Sequence, residues 1–321
     1  NSKLTWERTQ EFNIGLDFGF FRNRINGSLD VYQRTSKDLI MERQLPSTTG
    51  WTSVWDNIGK VRNTGLELSI NTINVQTSDF SWQTNIIFDT NKNEILELYG
   101  GKKDDIGNKW FIGEAINVNY DYEFDGIWQT SEADKAAIYG QTPGQVKVKD
   151  QNHDNVIDAK DKVILGQQLP KWTGSITNTF TYKNWDLAFN VYTRQGAQLN
   201  STFVSSFMAY DGNYNQAKVD YWTETNPTNK YPQPGNKGKY FSSMCYQDVS
   251  FVRVGYITLG YTFPMSLLKP IGIKRLKLYA TANNPFLFTS FKGFDPEWAT
   301  QNTWGEATST RTFLFGVKLA F

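Results

Sequence analysis

Residues 312–321 read TFLFGVKLAF. Phe313, Phe315, Val317, Leu319 and Phe321 fall on one face, and Thr312, Gly316 and Lys318 fall on the other. A period of two marks a strand whose two faces meet different surroundings. The apolar face is bulky, and no charge or proline blunts it as on an exposed edge of a soluble sheet. An outer-membrane barrel strand has this arrangement, its side chains alternating between lipid and lumen. The stretch predicts such a strand in preference to one from a soluble sandwich.

Composition agrees. The 321 residues carry a formal net charge of +1, so no basic footprint points to nucleic acid. No run of eighteen apolar residues occurs, which excludes a transmembrane helix and says nothing against a barrel. Aromatic residues make up 15% of the chain, as interfacial girdles require, though a glycan-binding sandwich would use them too. Cys245 is the sole cysteine and His153 the sole histidine, so an internal disulfide and a His-cluster zinc site are both excluded.

Working outward, alternation recurs. Phe12, Ile14, Leu16, Phe18 and Phe20 oppose Asn13, Gly15, Asp17 and Gly19, and a turn at Arg22-Asn23 leads into Ile25, Leu29 and Val31. After an expected loop from Met41 to Asn57, strands are predicted at Gly65–Asn71 and Trp82–Phe88, joined by a turn at Thr77–Asp79. Residues 93–171 hold no long clean alternation and are read as one external excursion, so VNYDYEFDGIW within them does not span. Strands resume at Trp172–Tyr182, Trp185–Val191, Val249–Phe263 and Leu276–Phe288, with a polar stretch at 196–248. Short turns and long loops alternate, as in barrels with periplasmic turns and extracellular loops. The expectation is an all-β fold: about nine strands of a transmembrane antiparallel barrel. Single-chain bacterial barrels have an even strand count. The parity therefore implies that 1–321 is the C-terminal part of a larger barrel.

One segment has metal-ligand spacing. Asp150, Asn152, Asp154, Asp158 and Asp161 stand at positions 1, 3, 5, 9 and 12 of an EF-hand-type loop, with the Val156 carbonyl at position 7. The expectation is a structural calcium ion in loop 150–161. The competing reading is an Asx-rich turn held by side-chain-to-backbone bonds. Trp51, Trp55, Tyr210, Tyr214, Tyr221 and Trp222 fall in expected external loops and are candidates for stacking on a substrate or partner, against plain packing within the loops. Asp17, Asp30, Glu67 and Asp89 are expected to face the lumen. No catalytic motif is present, and the chain is not expected to be an enzyme.

The chain also resembles the C-terminal barrel half of the SusC/RagA family, the TonB-dependent outer-membrane transporters of Bacteroidetes. The likeness rests on LTWERTQEFNIGLDFGFFRNRINGSLDVYQRTSKDLI, NIGKVRNTGLELSI, YEFDGIWQT, VKVKDQNHDNVIDAKDKVILG, LPKWTGSITNTFTYKNWDLAF and the stretch from VSFVRVGYITLGYTF to FTSFKGFDPE. It implies a barrel of twenty-two strands, an N-terminal plug domain outside this chain, and import of oligosaccharides or peptides. It implies a SusD-like surface lipoprotein as partner and energy from TonB–ExbB–ExbD through the missing N-terminal region. The family's D-x-N-G-D-G stretch aligns with Asp150–Asn155, where His153 and Asn155 replace both glycines. Rival readings are a barrel serving as a structural or secretion-associated subunit, a passive porin, and a soluble calcium-dependent glycan-binding protein.

Overall fold

The computed structural model describes residues 4–210, 216–299 and 308–321, with the backbone alone of Ser47. Among them, nine strands form one antiparallel sheet in sequence order. They are β1 Arg8–Phe20, β2 Ile25–Gln44, β3 Ser53–Gln76, β4 Phe80–Leu98, β5 Trp172–Tyr182, β6 Trp185–Gln195, β7 Phe251–Thr262, β8 Arg275–Thr289 and β9 Thr312–Ala320. β1 pairs with β2 and β9 with β8, so the described sheet has two free edges.

The register places like with like. Ile70, Ile86, Ile176, Val191, Val254 and Phe286 form one continuous outer row across β3–β8. One pitch away on the inner face, Asp30, Glu67, Asp89, Thr173 and Arg194 form a polar row across β2–β6. The outer apolar residues are left in the open: Phe315 is 82% exposed and Phe12 65%. Such a band stands only against lipid. Paired rings mark its two levels, Trp82 stacked on Phe180 at 5.6 Å and Phe88 tilted beside Trp172 at 5.8 Å. Trp172 and Phe180 lie eight residues apart on β5, about 26 Å along the strand and less along the axis of a tilted barrel. At a tilt of about 40° that is about 20 Å along the axis, which fits within an apolar band about 25 Å tall. The polar intrusion on this face, Asn178, accepts from Trp82 Nε1 at 2.9 Å and from Thr84 at 2.7 Å, so it is not left unpaired toward lipid.

The strands run longer than alternation alone suggests. The loop expected from Met41 to Asn57 shrinks to residues 45–52, because β2 continues to Gln44 and β3 begins at Ser53. Register shifts at Ser36/Leu39 and Leu39/Ile40 interrupt the period of two, and Asp38 takes φ 58° there. β4 likewise runs to Leu98, past the position 93 at which the excursion is expected to start. Beyond its pairing with β5, Ile95 bonds the backbone of Gly113 and Glu114, so the excursion itself carries the sheet upward.

Candidate functional site

On the long-loop side, the two excursions 99–171 and 196–250 build one folded cap. Val118–Tyr122 pairs with Lys162–Gln167, Phe124–Ile127 with Val146–Val148, and Gln198–Asn200 with Tyr246–Asp248. Ile127, Val146, Val204, Met208, Trp222, Tyr231, Phe241 and Cys245 form their shared core. Polar ties sew the excursions together. Asn119 Nδ2 donates to the Gln198 carbonyl at 2.7 Å, Tyr246 OH to Asp121 at 3.2 Å, and Ile127 N to Asn229 at 3.0 Å.

This cap decides the fate of the candidate rings. Trp222 is 3% exposed and donates Nε1 to Gln129 at 3.0 Å, so its ring has no free face and serves as packing. Tyr210 donates its hydroxyl to the Ala217 carbonyl at 2.6 Å and lies 5.4 Å from the Tyr221 ring, within the loops. Tyr214 lies outside the described residues. Trp51 and Trp55 do stand out, 75% and 55% exposed, on the β2–β3 hairpin. The structure therefore does not gather the five described rings into one site.

It gathers a different set. Between the excursions lies a cavity of about 560 Å³ whose lining includes Trp110, Asn117, Asn119, Gln168, Asn200 and Tyr246. Among the described residues its lining contains no carboxylate and one cation, Lys109. The carboxamides offer donors and acceptors together, and the two rings supply flat apolar walls. They come from four separate segments, so no local motif announces them.

A second cavity of about 590 Å³ lies on the inner wall below, lined by Glu11, Asp30, Tyr32, Arg34, Glu67 and Asn91 among others. Arg34 pairs with Glu11 at 2.8 Å, while Thr173 donates to Asp89. Asp30, Glu67 and Asp89 sit directly opposite one another across strands, as expected for the lumen face.

Loop 150–161 spends its acids on its own backbone. Asp150 accepts from His153 N at 2.7 Å, Asn155 N at 2.9 Å and the Tyr139 hydroxyl at 3.1 Å. Desolvation pushes the Asp150 carboxyl up, but these hydrogen bonds outweigh it and hold the group below its ordinary value. Asp154 accepts from Val156 N at 2.9 Å, and Asn152 accepts from Asp154 N at 3.0 Å. Asp158 accepts from Lys160 N at 2.7 Å. Asp161 is fully buried, its two oxygens taken by Gln151 N at 2.9 Å and Asp158 N at 2.8 Å. His153 and Asn155 take φ 62° and 65°, the left-handed conformation that glycine adopts at no cost. Among the described residues, no three Asp, Glu, His or Cys side chains converge as a metal site. The loop as folded is an Asx-turn assembly.

Comparison with known proteins follows this geometry. The family model described as "TonB dependent receptor-like, beta-barrel" matches residues 1–285. TonB-dependent receptor P26 of Formosa agariphila is 32% identical over 313 residues, covering 92% of this chain and 32% of that protein. TonB-dependent receptor SusC of Bacteroides thetaiotaomicron is 31% identical over 333 residues, covering 100% of this chain and 32% of that protein. Among solved structures, a chain of the RagAB peptide transporter superposes with TM-score 0.80 at 26% identity, covering 100% of this chain and 36% of that chain. The chain thus spans about a third of the length of the relatives it matches.

Proposed function

Because this chain belongs to the TonB-dependent receptor β-barrel family and lies in the outer membrane, we propose that it forms the wall and outer cap of a SusC-like importer of a large nutrient. One observation carries the reading. A lipid-facing apolar band and a polar inner wall meet, at the long-loop end, a folded cap containing a pocket lined by carboxamides and rings beside Lys109. A passive pore needs a polar wall but no built pocket above it. In this reading further strands close the sheet at its two free edges, giving a barrel of twenty-two. A plug outside this chain blocks the lumen until TonB–ExbB–ExbD moves it. A SusD-like surface lipoprotein presents substrate over the cap. Asn117 and Gln168, whose side chains have no hydrogen-bond partner among the described residues, meet the amide or hydroxyl groups of an oligosaccharide or peptide, with Trp110 and Tyr246 as stacking walls.

Calcium in loop 150–161 is a separate proposal, supported by donor spacing alone. Asp150, Asn152, Asp154, Val156, Asp158 and Asp161 would hold the ion, exchanging the N–H bonds described above for it, and its role would be to stiffen the loop.

The test of the transport reading is mass spectrometry on the particle extracted gently from outer membranes. We expect peptides from a preceding plug and earlier strands, together with a stoichiometric surface lipoprotein. A particle with no plug peptides and no lipoprotein, or one that co-purifies only with secretion components, overturns the importer reading.

A further inference from the structure

We propose that the outer face of β6–β9, at its short-turn end, binds one anionic phospholipid molecule in a defined groove. The groove has a volume of about 570 Å³, and its lining includes Trp185, Leu259, Tyr261, Leu278, Ala280 and Phe315. It exists because a small side chain sits among large ones. Register sets Leu259 opposite Ala280 and Ala280 opposite Phe315, so the methyl of Ala280 is the floor and its neighbours are walls. At the short-turn end Trp185 packs against Tyr261 at 4.7 Å, the level where amphipathic rings meet headgroups. An apolar trough continuous with the lipid-facing band fits an acyl chain.

The rim beyond the trough supplies the headgroup chemistry. No Asp or Glu occurs between Val249 and Phe294. The turns there carry Lys183, Lys269 and Lys274, and Arg275 opens β8, all exposed. Lys277, by contrast, pairs with Asp186 at 2.7 Å, while those four have no ion-pair partner among the described residues. The Lys183 ammonium lies 5.6 Å over the outward Tyr182 ring. The connection after β7 is itself interfacial. The turns Met265–Leu268 and Lys269–Ile271 leave Met265, Leu267 and Ile271 56%, 63% and 65% exposed, beside lysines. Apolar side chains and bare cations side by side belong at a membrane surface carrying negative charge. Short turns face the periplasm, and the leaflet on that side of an outer membrane is phospholipid, which fixes the occupant. The inference needs barrel membership but is indifferent to what the barrel transports.

The experiment is native mass spectrometry of the full-length protein, released from nanodiscs of phosphatidylethanolamine with or without phosphatidylglycerol. We expect one phosphatidylglycerol retained per barrel, in preference to phosphatidylethanolamine. Ala280→Phe fills the trough and abolishes retention. The exposed pair Lys183→Gln and Lys274→Gln leaves the fold untouched and weakens retention roughly twenty-fivefold, from about fivefold per basic residue near an anionic surface. Equal retention by Ala280→Phe, or retention blind to headgroup in the wild type and the lysine variant alike, overturns the proposal. So does a paired-barrel mass that Ala280→Phe dissociates, since that would assign the groove to a second copy.

Discussion

Arg253 on β7 donates to Asp295 across 2.6 Å, and the two side chains are 2% and 3% exposed. This pair fastens the connection after β8 to the barrel wall. Asp295 also caps the turn Pro296–Trp298 through Glu297 N at 3.0 Å and accepts from Ser309 N at 3.0 Å. Glu297 in turn accepts from the Tyr192 hydroxyl at 2.8 Å and meets Arg194 at 3.3 Å. Arg253 Nε has no hydrogen-bond partner and stands 3.7 Å from Glu297, an ion pair without a shared proton. The FDPE stretch at 294–297 is thereby a wall anchor.

Breaking that anchor from one side leaves a buried charge alone. Arg253→Met is expected to cost about 3–5 kcal/mol in denaturant unfolding and to expose 290–299 to protease. Adding Asp295→Leu should recover only part of the loss, because the Glu297 and Ser309 amides then lose their acceptor. Full recovery in the double variant would show that Asp295 matters only as a counter-ion.

Two glycines on the inner face are roofed by tyrosines directly across from them. Tyr32 faces Gly65 in the β2–β3 register, and Tyr279 faces Gly316 in the β8–β9 register. A Cβ on Gly316 would lie 2.2 Å from Tyr279 Cζ, and one on Gly65 would lie 2.4 Å from Tyr32 Cζ. Gly316→Ala is therefore expected to cost about 1–3 kcal/mol by displacing the ring. Combined with Tyr279→Ala the two losses should fall short of their sum, since the clash needs both partners. Additive losses in urea unfolding would rule out the roof.

What could be read from the sequence was what side-chain period encodes. Phe12–Phe20 and Phe313–Phe321 disclose their strands because a period of two survives intact there. Leu39 and Met41 hide the upper part of β2 because the bulges beside them shift the register. Pairing at long range has no local signature. Nothing near Trp222 distinguishes it from Trp51, yet a bond to Gln129, 93 residues away, buries the one and leaves the other open. Asn117, Asn119, Gln168 and Asn200 meet only because the two excursions pack together, so the carboxamide-lined pocket was invisible in the chain order. The Asp150–Asp161 spacing was legible, whereas the direction of its oxygens was not, because an Asx turn and a calcium loop use the same residues.

Cys245 should be chemically silent in the folded protein. It is 1% exposed, and burial pushes its thiol up to about 12. Maleimide labelling at neutral pH is expected to be negligible until the cap unfolds. The linkage has a definite sign. An unfolded thiol titrates near 8.5, so above that pH the unfolded state loses a proton that the folded state keeps. The contribution is present below about pH 8.5 and falls as pH rises toward the folded value. Cap melting followed by tryptophan fluorescence should therefore occur more readily at pH 10 than at pH 8, and Cys245→Ala should flatten that difference. Equal dependence in the variant would place the alkaline sensitivity elsewhere.

Asp161 tests whether loop 150–161 stands by hydrogen bonding or by a cation. Asp161→Ala removes the acceptor for Gln151 N and Asp158 N in a buried place, a local loss of about 1–3 kcal/mol for each amide left unpaired. Hydrogen exchange should show those two amides losing protection while β4 and β5 keep theirs. Acidification acts through Asp150. Its folded pKa is depressed, so its contribution is present above the unfolded value near 3.9 and disappears as pH falls through the folded value. Protection of the His153 and Asn155 amides should follow the same course. The calcium ion proposed for this loop would have to share oxygens with N–H donors already in place, so calorimetry is expected to give a dissociation constant on the order of 10⁻³ M, as in extracellular calcium modules. Calcium at several millimolar should then add protection across 150–161, and chelation should return the loop to its hydrogen-bonded pattern. If chelation alone strips protection from 150–161, the ion is an integral part of the loop, and Asp161 reaches the backbone only secondarily.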